Sequence, residues 1–310
     1  MVVNNGRKYL SRHLDDFIKD RERVCERLMM LLALLLFGIG FLYFELETLK
    51  VSTFYLKTEK LKHKIKIVHL SDLHSKEFGV NNERLIKKVR ELKPDLIVTT
   101  GDMISSTDHN GDAFLSVAAA LSDQIPMYYI EGNHELTARY DTLNLENGWY
   151  ETYLNDLRAL GVHVLKNDTN LIQLQDVKLH IQGLTVPLAH YCAVPEKISA
   201  IDDIHPIKKV SDVLEPTSPH HYNILLAHNP FLIPIYLEHE VDLICCGHVH
   251  GGAVRLPFIG GILSPERKLF PKYSGGHYRF NSSNLIVSRG LGRLRLFNRP
   301  DVVMIEINPE

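Results

Sequence analysis

Five short apolar runs in this chain of 310 residues are each followed by side chains of the kinds that bind metals. Residues 65–70 run into Ser71-Asp72-Leu73-His74, and residues 95–100 into Gly101-Asp102. Residues 127–130 lead to Gly132-Asn133-His134-Glu135. Residues 223–227 end in His228-Asn229-Pro230, and residues 241–246 in Gly247-His248-Val249-His250-Gly251-Gly252. Runs of this length, rich in Val, Ile and Leu and bounded by Gly or Pro, read as β-strands. Between them, residues 82–92, 112–121 and 151–160 carry apolar side chains at helical spacing. Residues 162–165, 170–174 and 177–184 read as a mainly antiparallel stretch, 285–288 and 302–307 as late strands, and 196–219 as an insertion or long loop. Strands alternating with helices define an α/β chain. In open α/β sheets, ligands bind outside the carboxyl ends of the strands. Five strand ends would therefore bring Asp, His and Asn to one edge. A glycine before the ligand lets the backbone turn sharply and come close.

The donor types narrow the chemistry. Imidazole dominates, which suits Mn²⁺, Fe or Zn²⁺ and not Ca²⁺ alone. Seven donors are too many for one open catalytic metal and right for two, provided that one carboxylate bridges. A pair of metals about 3.5–4 Å apart can hold a hydroxide and clamp a phosphoryl group for in-line attack. Each piece alone is weak: a Gly-Asp is normally a turn, and a lone His near a strand end is usually structural. The ordered set of five is not a chance pattern.

In that order, Asp-x-His, Gly-Asp, Gly-Asn-His-Glu, His and Gly-His-x-His, the sequence resembles the calcineurin-like metallophosphoesterases over roughly residues 60–307. Within them it looks most similar to the membrane-anchored branch of YaeI/YkuE-type phosphodiesterases. The His-Gly-Gly after the last ligand and the segments Ser288-Arg289-Gly290-Leu291-Gly292 and Arg299-Pro300-Asp301 carry that likeness. The resemblance implies a four-layer α/β/β/α sandwich. It implies that Asp72, His74 and His250 bind one divalent metal, that Asn133, His228 and His248 bind a second, and that Asp102 bridges them. His134 would face the substrate phosphate, stabilise developing charge and protonate the leaving oxygen, with Glu135 orienting it. Two departures stand out. Ser105 stands where many members carry the second Asp of Gly-Asp-x-x-Asp, and Ile104-Ser105-Ser106 stands where the protein Ser/Thr phosphatases carry Asp-Arg-Gly, which speaks against a phosphoprotein substrate. Ala253 stands where the branch often has Gln.

Residues 28–44 carry no charge and would span roughly 26 Å as a helix, close to a bilayer's hydrocarbon thickness. The run is apolar on every face, and Gly38-Ile39-Gly40-Phe41 is a poor cleavage site, so it reads as an uncleaved signal anchor. Lys19, Arg21, Arg23 and Arg27 precede it, while Lys50 follows in the company of Glu45 and Glu47. That bias puts an amphipathic segment 1–27 in the cytoplasm and a catalytic domain 61–310 outside the cell membrane, joined by a linker over 45–60. A formal charge of −2 argues against nucleic acid as a partner. No phosphate-binding GxxxxGK[ST] loop occurs, and the four cysteines, Cys245 and Cys246 among them, form no disulfide framework. The expected activity is a phosphodiesterase that cleaves a phosphodiester or pyrophosphate through a hydroxide activated by two metals. Its substrate would be a phosphoester near the membrane or linked to lipid. A UDP-2,3-diacylglucosamine-type pyrophosphatase is the alternative, and a metal-binding scaffold without activity a more remote one. His277, Arg289 and Arg293 are further residues that could line a substrate cleft.

Overall fold

The computed structural model describes residues 2–191, 206–252, 254–256, 258–264, 267–292 and 295–310. Two compact units make up the chain, Met1–Glu45 and Leu46–Glu310. The first is formed by helix α1 (Val2–Glu47). Over Arg21–Glu47 this helix is long and apolar enough to cross a membrane. Leu31, Leu34, Leu35 and Phe37 are all more than half exposed, which is costly in water and favourable in lipid. The expected span 28–44 lies inside this stretch. Cys25 is exposed and free.

The second unit begins earlier than expected. Residues 50–58, expected within a linker, form strand β1 (Lys50–Thr58), paired in parallel with the last strand. Its lysines and exposed tyrosine hid it. As an edge strand it buries only Ser52 and Leu56, so its outward face is free to be polar. There follow β2 (Ile65–Leu70), α2 (Glu83–Leu92), β3 (Leu96–Thr100), α3 (Asp112–Leu121) and β4 (Met127–Ile130). Next come α4 (Asn133–Arg139), α5 (Thr142–Asn147), α6 (Trp149–Ala159), β5 (His163–Val164), β6 (Asp168–Leu174) and β7 (Val177–Leu184). The chain continues with β8 (Tyr222–Ala227), α7 (Ile233–Leu237), β9 (Leu243–Cys246), β10 (Arg255–Leu256) and β11 (Gly260–Gly261). It closes with β12 (Gly276–Phe280), β13 (Ser283–Val287) and β14 (Asp301–Pro309).

Two six-stranded sheets result, ordered β1-β14-β2-β3-β4-β5 and β12-β13-β9-β8-β7-β6. β6 and β7 form the expected antiparallel pair, whereas β5 joins β4 in parallel in the other sheet. The inner strands are buried on both faces because each sheet has a core on either side. Successive residues part company: Ile67, Val98, Tyr128, Ile224 and Cys245 pack between the sheets. Val68, Ile97 and Tyr129 pack beneath α2, α3 and α6 with Val89, Phe114 and Leu157. Leu225, Ile244 and Cys246 pack beneath α7 with Ile233 and Tyr236. Three cores separated by two sheets make the four-layer α/β/β/α sandwich. Cys245 and Cys246 are thus free thiols in different cores, not a bridge. Cys192 and much of the expected insertion 196–219 lie outside the described residues.

Candidate metal centre

The carboxyl ends of β2, β3, β4, β8 and β9 meet where the two sheets adjoin, and backbone hydrogen bonds lock them together. Asp72 N–H donates to the Gly101 carbonyl (3.0 Å) and His74 N–H to that of Asp102 (2.9 Å). Gly247 N–H donates to the His228 carbonyl (3.1 Å), and His248 N–H to the Asp72 carboxylate (3.0 Å). The packing leaves no room for side chains at two of the glycines. A Cβ on Gly101, whose φ is +83°, would lie 2.3 Å from Gly132 N; one on Gly247 would lie 1.9 Å from Ser71 Oγ. The donors themselves are bent to fit: Asp72, His74, Asp102, His248 and His250 all adopt left-handed φ between 49° and 70°. Non-glycine residues hold that conformation only where surrounding structure forces it, typically at functional sites.

All seven expected donors come together. Asp72, His74, Asp102 and His250 form one group of converging atoms, and Asp102, His228 and His248 a second. Asn133 Oδ1 joins the second, 3.2 Å from His228 Nε2 and 3.0 Å from His248 Nδ1. Asp102 belongs to both through one oxygen, since Oδ2 lies 3.8 Å from His74 Nε2 and 3.2 Å from His228 Nε2. Its other oxygen accepts the His134 amide (2.8 Å). His228 Nδ1–H donates to the Thr100 carbonyl (2.5 Å), which leaves Nε2 as the ring nitrogen that faces the centre.

This donor set fits a pair of divalent cations. Burial holds His74 neutral, its pKa down to about 3, and pushes His250 well below its ordinary value. Two neutral imidazole nitrogens therefore face each other at 3.2 Å, with carboxylates beside them that are almost fully buried. Burial would likewise lower His228, but the Asp102 carboxylate overrides it and holds the ring up to about 9. The attraction that keeps a proton there is the attraction a cation would meet.

His134 stands in the first turn of α4, its ring edge-on to His74 at 4.5 Å. Its Nδ1 accepts from the Ser106 amide (3.2 Å), a partner that sequence motifs could not reveal because it is backbone. Glu135 does not meet the expectation that it orients the His134 ring. Its buried carboxylate instead accepts the amides of Asp102 (2.7 Å), Met103 (2.8 Å) and Gly132 (2.9 Å) and the Tyr129 hydroxyl (3.0 Å). Glu135 thus shapes the loop that presents Asp102. Burial and the nearby Asp102 push its pKa up to about 7.

Two contributors were missed. The Tyr191 ring packs 5.1 Å from that of His248 and 5.8 Å from that of His228. Arg295 is buried behind Asp72 and donates to the Gly290 carbonyl (2.9 Å). The glycine-rich segment 288–292 also lies there, with Gly292 N–H donating to the Asp72 carbonyl (2.6 Å). It is a back wall, and Arg289 faces Asp301 (3.6 Å) rather than a cleft. His277 lies exposed on β12, bonded to Asn284. Ser105 bonds to Thr107. Ala253 and Arg293 lie outside the described residues.

A buried double Asp/His centre at the joined edge of two sheets defines a hydrolase of ester bonds that works with two divalent metals. The chain belongs to the calcineurin-like phosphoesterase family, whose profile matches residues 65–252. It is 28% identical over 272 residues to the metallophosphoesterase YkuE of Bacillus subtilis, covering 84% of each chain. To the phosphodiesterase YaeI of Escherichia coli it is 28% identical over 249 residues, covering 78% of this chain and 82% of the relative. Among solved structures it is similar to the phosphopantetheinyl hydrolase PptH of Mycobacterium tuberculosis, with 13% identity and a TM-score of 0.45 over 76% of this chain and 91% of that one.

Proposed function

We propose that this metallophosphoesterase is a membrane-anchored phosphodiesterase that cleaves a phosphodiester or pyrophosphate in a lipid-linked substrate at the bilayer surface. Asp72, His74 and His250 serve one metal, Asn133, His228 and His248 the other, and Asp102 both. The observation that carries this reading is the single Asp102 oxygen lying between the two imidazole groups. Bound metals of the Mn²⁺, Fe or Zn²⁺ type would supply Lewis acidity and activate water there. His134 supplies a donor to the phosphate. Because Nδ1 accepts the Ser106 amide, the ring proton sits on Nε2. A ring in that state donates a hydrogen bond to phosphoryl oxygen as charge develops; handing the proton over outright would leave an imidazolate. The Ser106 contact therefore favours charge stabilisation over protonation of the leaving oxygen.

The phosphodiesterase name of a relative and the apolar helix α1 support a diester substrate near a membrane. The anchor is single-pass in the cell membrane, with the catalytic unit outside it by the basic bias of the N-terminal flank. A panel run with added Mn²⁺ on the purified full chain tests the reading: p-nitrophenyl phosphate, bis(p-nitrophenyl) phosphate and UDP-2,3-diacylglucosamine. Diester cleavage that stops on chelation is the expected result. Preference for the nucleotide-sugar lipid would establish the pyrophosphatase alternative. Metal held tightly with no turnover on any member would make the chain a scaffold.

A further inference from the structure

Directly after the last ligand loop, a small set of paired segments carries Phe258, the most exposed large apolar side chain among the described residues of the second unit, and three more that are over half exposed. β10 and β11 pair antiparallel, Arg255 with Gly261 and Leu256 with Gly260. The tip between them presents Phe258, fully exposed, and Ile259, more than half exposed. A second turn lies alongside, closed by the bridge between Leu263 and Leu269 and by Phe270 N–H donating to the Ile262 carbonyl (2.8 Å). It presents Leu269 and Phe270, both more than half exposed. Ile262 N–H donates to the Val254 carbonyl (2.9 Å), so the two tips share one backbone framework. That framework is fastened to the metal centre. Asn298 Nδ2 donates to the carbonyls of His250 (2.6 Å) and Gly252 (3.1 Å), and Gly252 is so close to Gly261 that a Cβ on it would lie 2.6 Å from the Gly261 Cα.

Four large apolar side chains held out on turns are unfavourable in water. The stretch of chain that carries them is basic. Between residues 254 and 272 stand Arg255, Arg267, Lys268 and Lys272 against the single acid Glu266. Arg267, Lys268 and Lys272 are exposed, with Lys268 over the Phe231 ring and Lys272 over that of Tyr273. Apolar tips with long exposed basic side chains near them in the chain match the boundary of a bilayer: the tips enter the acyl region while the bases reach headgroup phosphates. The chain also carries its own candidate span in α1, and only Thr48 and Leu49 separate α1 from β1.

We infer that the two tips bearing Phe258, Ile259, Leu269 and Phe270 form a second membrane contact, which docks on a bilayer containing anionic lipid and sets the metal centre against its headgroups. The contact goes beyond the proposed activity and does not depend on turnover.

The test uses the full chain reconstituted into phosphatidylcholine vesicles, with and without phosphatidylglycerol, in which a fraction of the lipid is brominated. Tryptophan is introduced at the tip, Phe258→Trp, or on strand β6 as a control, Leu171→Trp, and the signal of the native Trp149 is subtracted. The expected result is that bromolipid quenches the added emission at 258 by roughly half, more so with phosphatidylglycerol, and leaves that at 171 unchanged. Adding Phe270→Asp should weaken the quenching at 258. Equal quenching at both positions overturns the inference, as does none at 258 in vesicles that hold the protein. Protection of 258 that instead depends on protein concentration would assign the segment to contact between copies and likewise overturn it. Cleavage of soluble bis(p-nitrophenyl) phosphate by Phe258→Trp reports the proposed activity separately.

Discussion

Asp102 illustrates how much one side chain can be asked to do. Its Oδ2 faces both imidazole groups, its Oδ1 takes the His134 amide, and its own amide is held by Glu135. Asp102→Asn should therefore lower the occupancy of both metals, whereas Asp72→Asn should lower chiefly one. Metal counting by plasma mass spectrometry on the purified variants decides, and two metals retained in Asp102→Asn would remove it from the donor set. His134→Ala should keep both metals and lose roughly 10²–10⁴-fold in turnover. If the ring stabilises phosphoryl charge, as its Ser106 contact favours, the loss should be similar for good and poor leaving groups. A loss that shrinks toward nothing with p-nitrophenolate would mean that His134 delivers a proton instead. Glu135 is a reminder that adjacency in sequence is not contact: beside His134 in the chain, its carboxylate points the other way, into the loop of Asp102.

At the scale of elements, the centre exists because strand ends from two sheets are pressed together more closely than side chains allow. Gly247 separates β9 from its two histidines and sits against Ser71 and Asp72. Gly247→Ala would put a methyl carbon 2.5 Å from Asp72 Oδ2, so either β9 or the Asp72 loop must retreat. The expected outcome is a folded protein with reduced metal content, read by circular dichroism together with metal counting. Full occupancy with unchanged turnover would mean that the loop gives way freely. Most of the strands were legible because a strand buried on both faces is an unbroken apolar run, as in Leu243–Cys246. α4 was not legible, since its seven residues begin inside the Gly-Asn-His-Glu motif and lack the length for a helical period. β12 alternates between half-buried and exposed side chains and is rich in polar residues, so it too escaped notice.

For the whole molecule, α1 and the unit Leu46–Glu310 should behave as separable properties of one chain. The full chain should sediment with membranes, and a chain beginning at Leu46 should lose the stable anchorage that a spanning helix supplies. Protease added to intact cells should cut the catalytic unit if the basic flank sets orientation. Complete protection until lysis would place that unit in the cytoplasm and bring nucleotide-linked substrates within reach.

Residue order alone determined the class of chemistry, because ligand types are set by covalent identity and strand ends by local apolar runs. The seven side chains singled out for their place after the apolar runs, from Asp72 to His250, are brought together by the fold although 178 residues separate the first from the last in the chain. Only tertiary structure decided what each donor is held by. The Thr100 carbonyl on His228, the Ser106 amide on His134 and the glycine-rich segment behind Asp72 all act through backbone atoms. Every residue carries the same backbone groups, so their contribution becomes visible only when folding puts them in place.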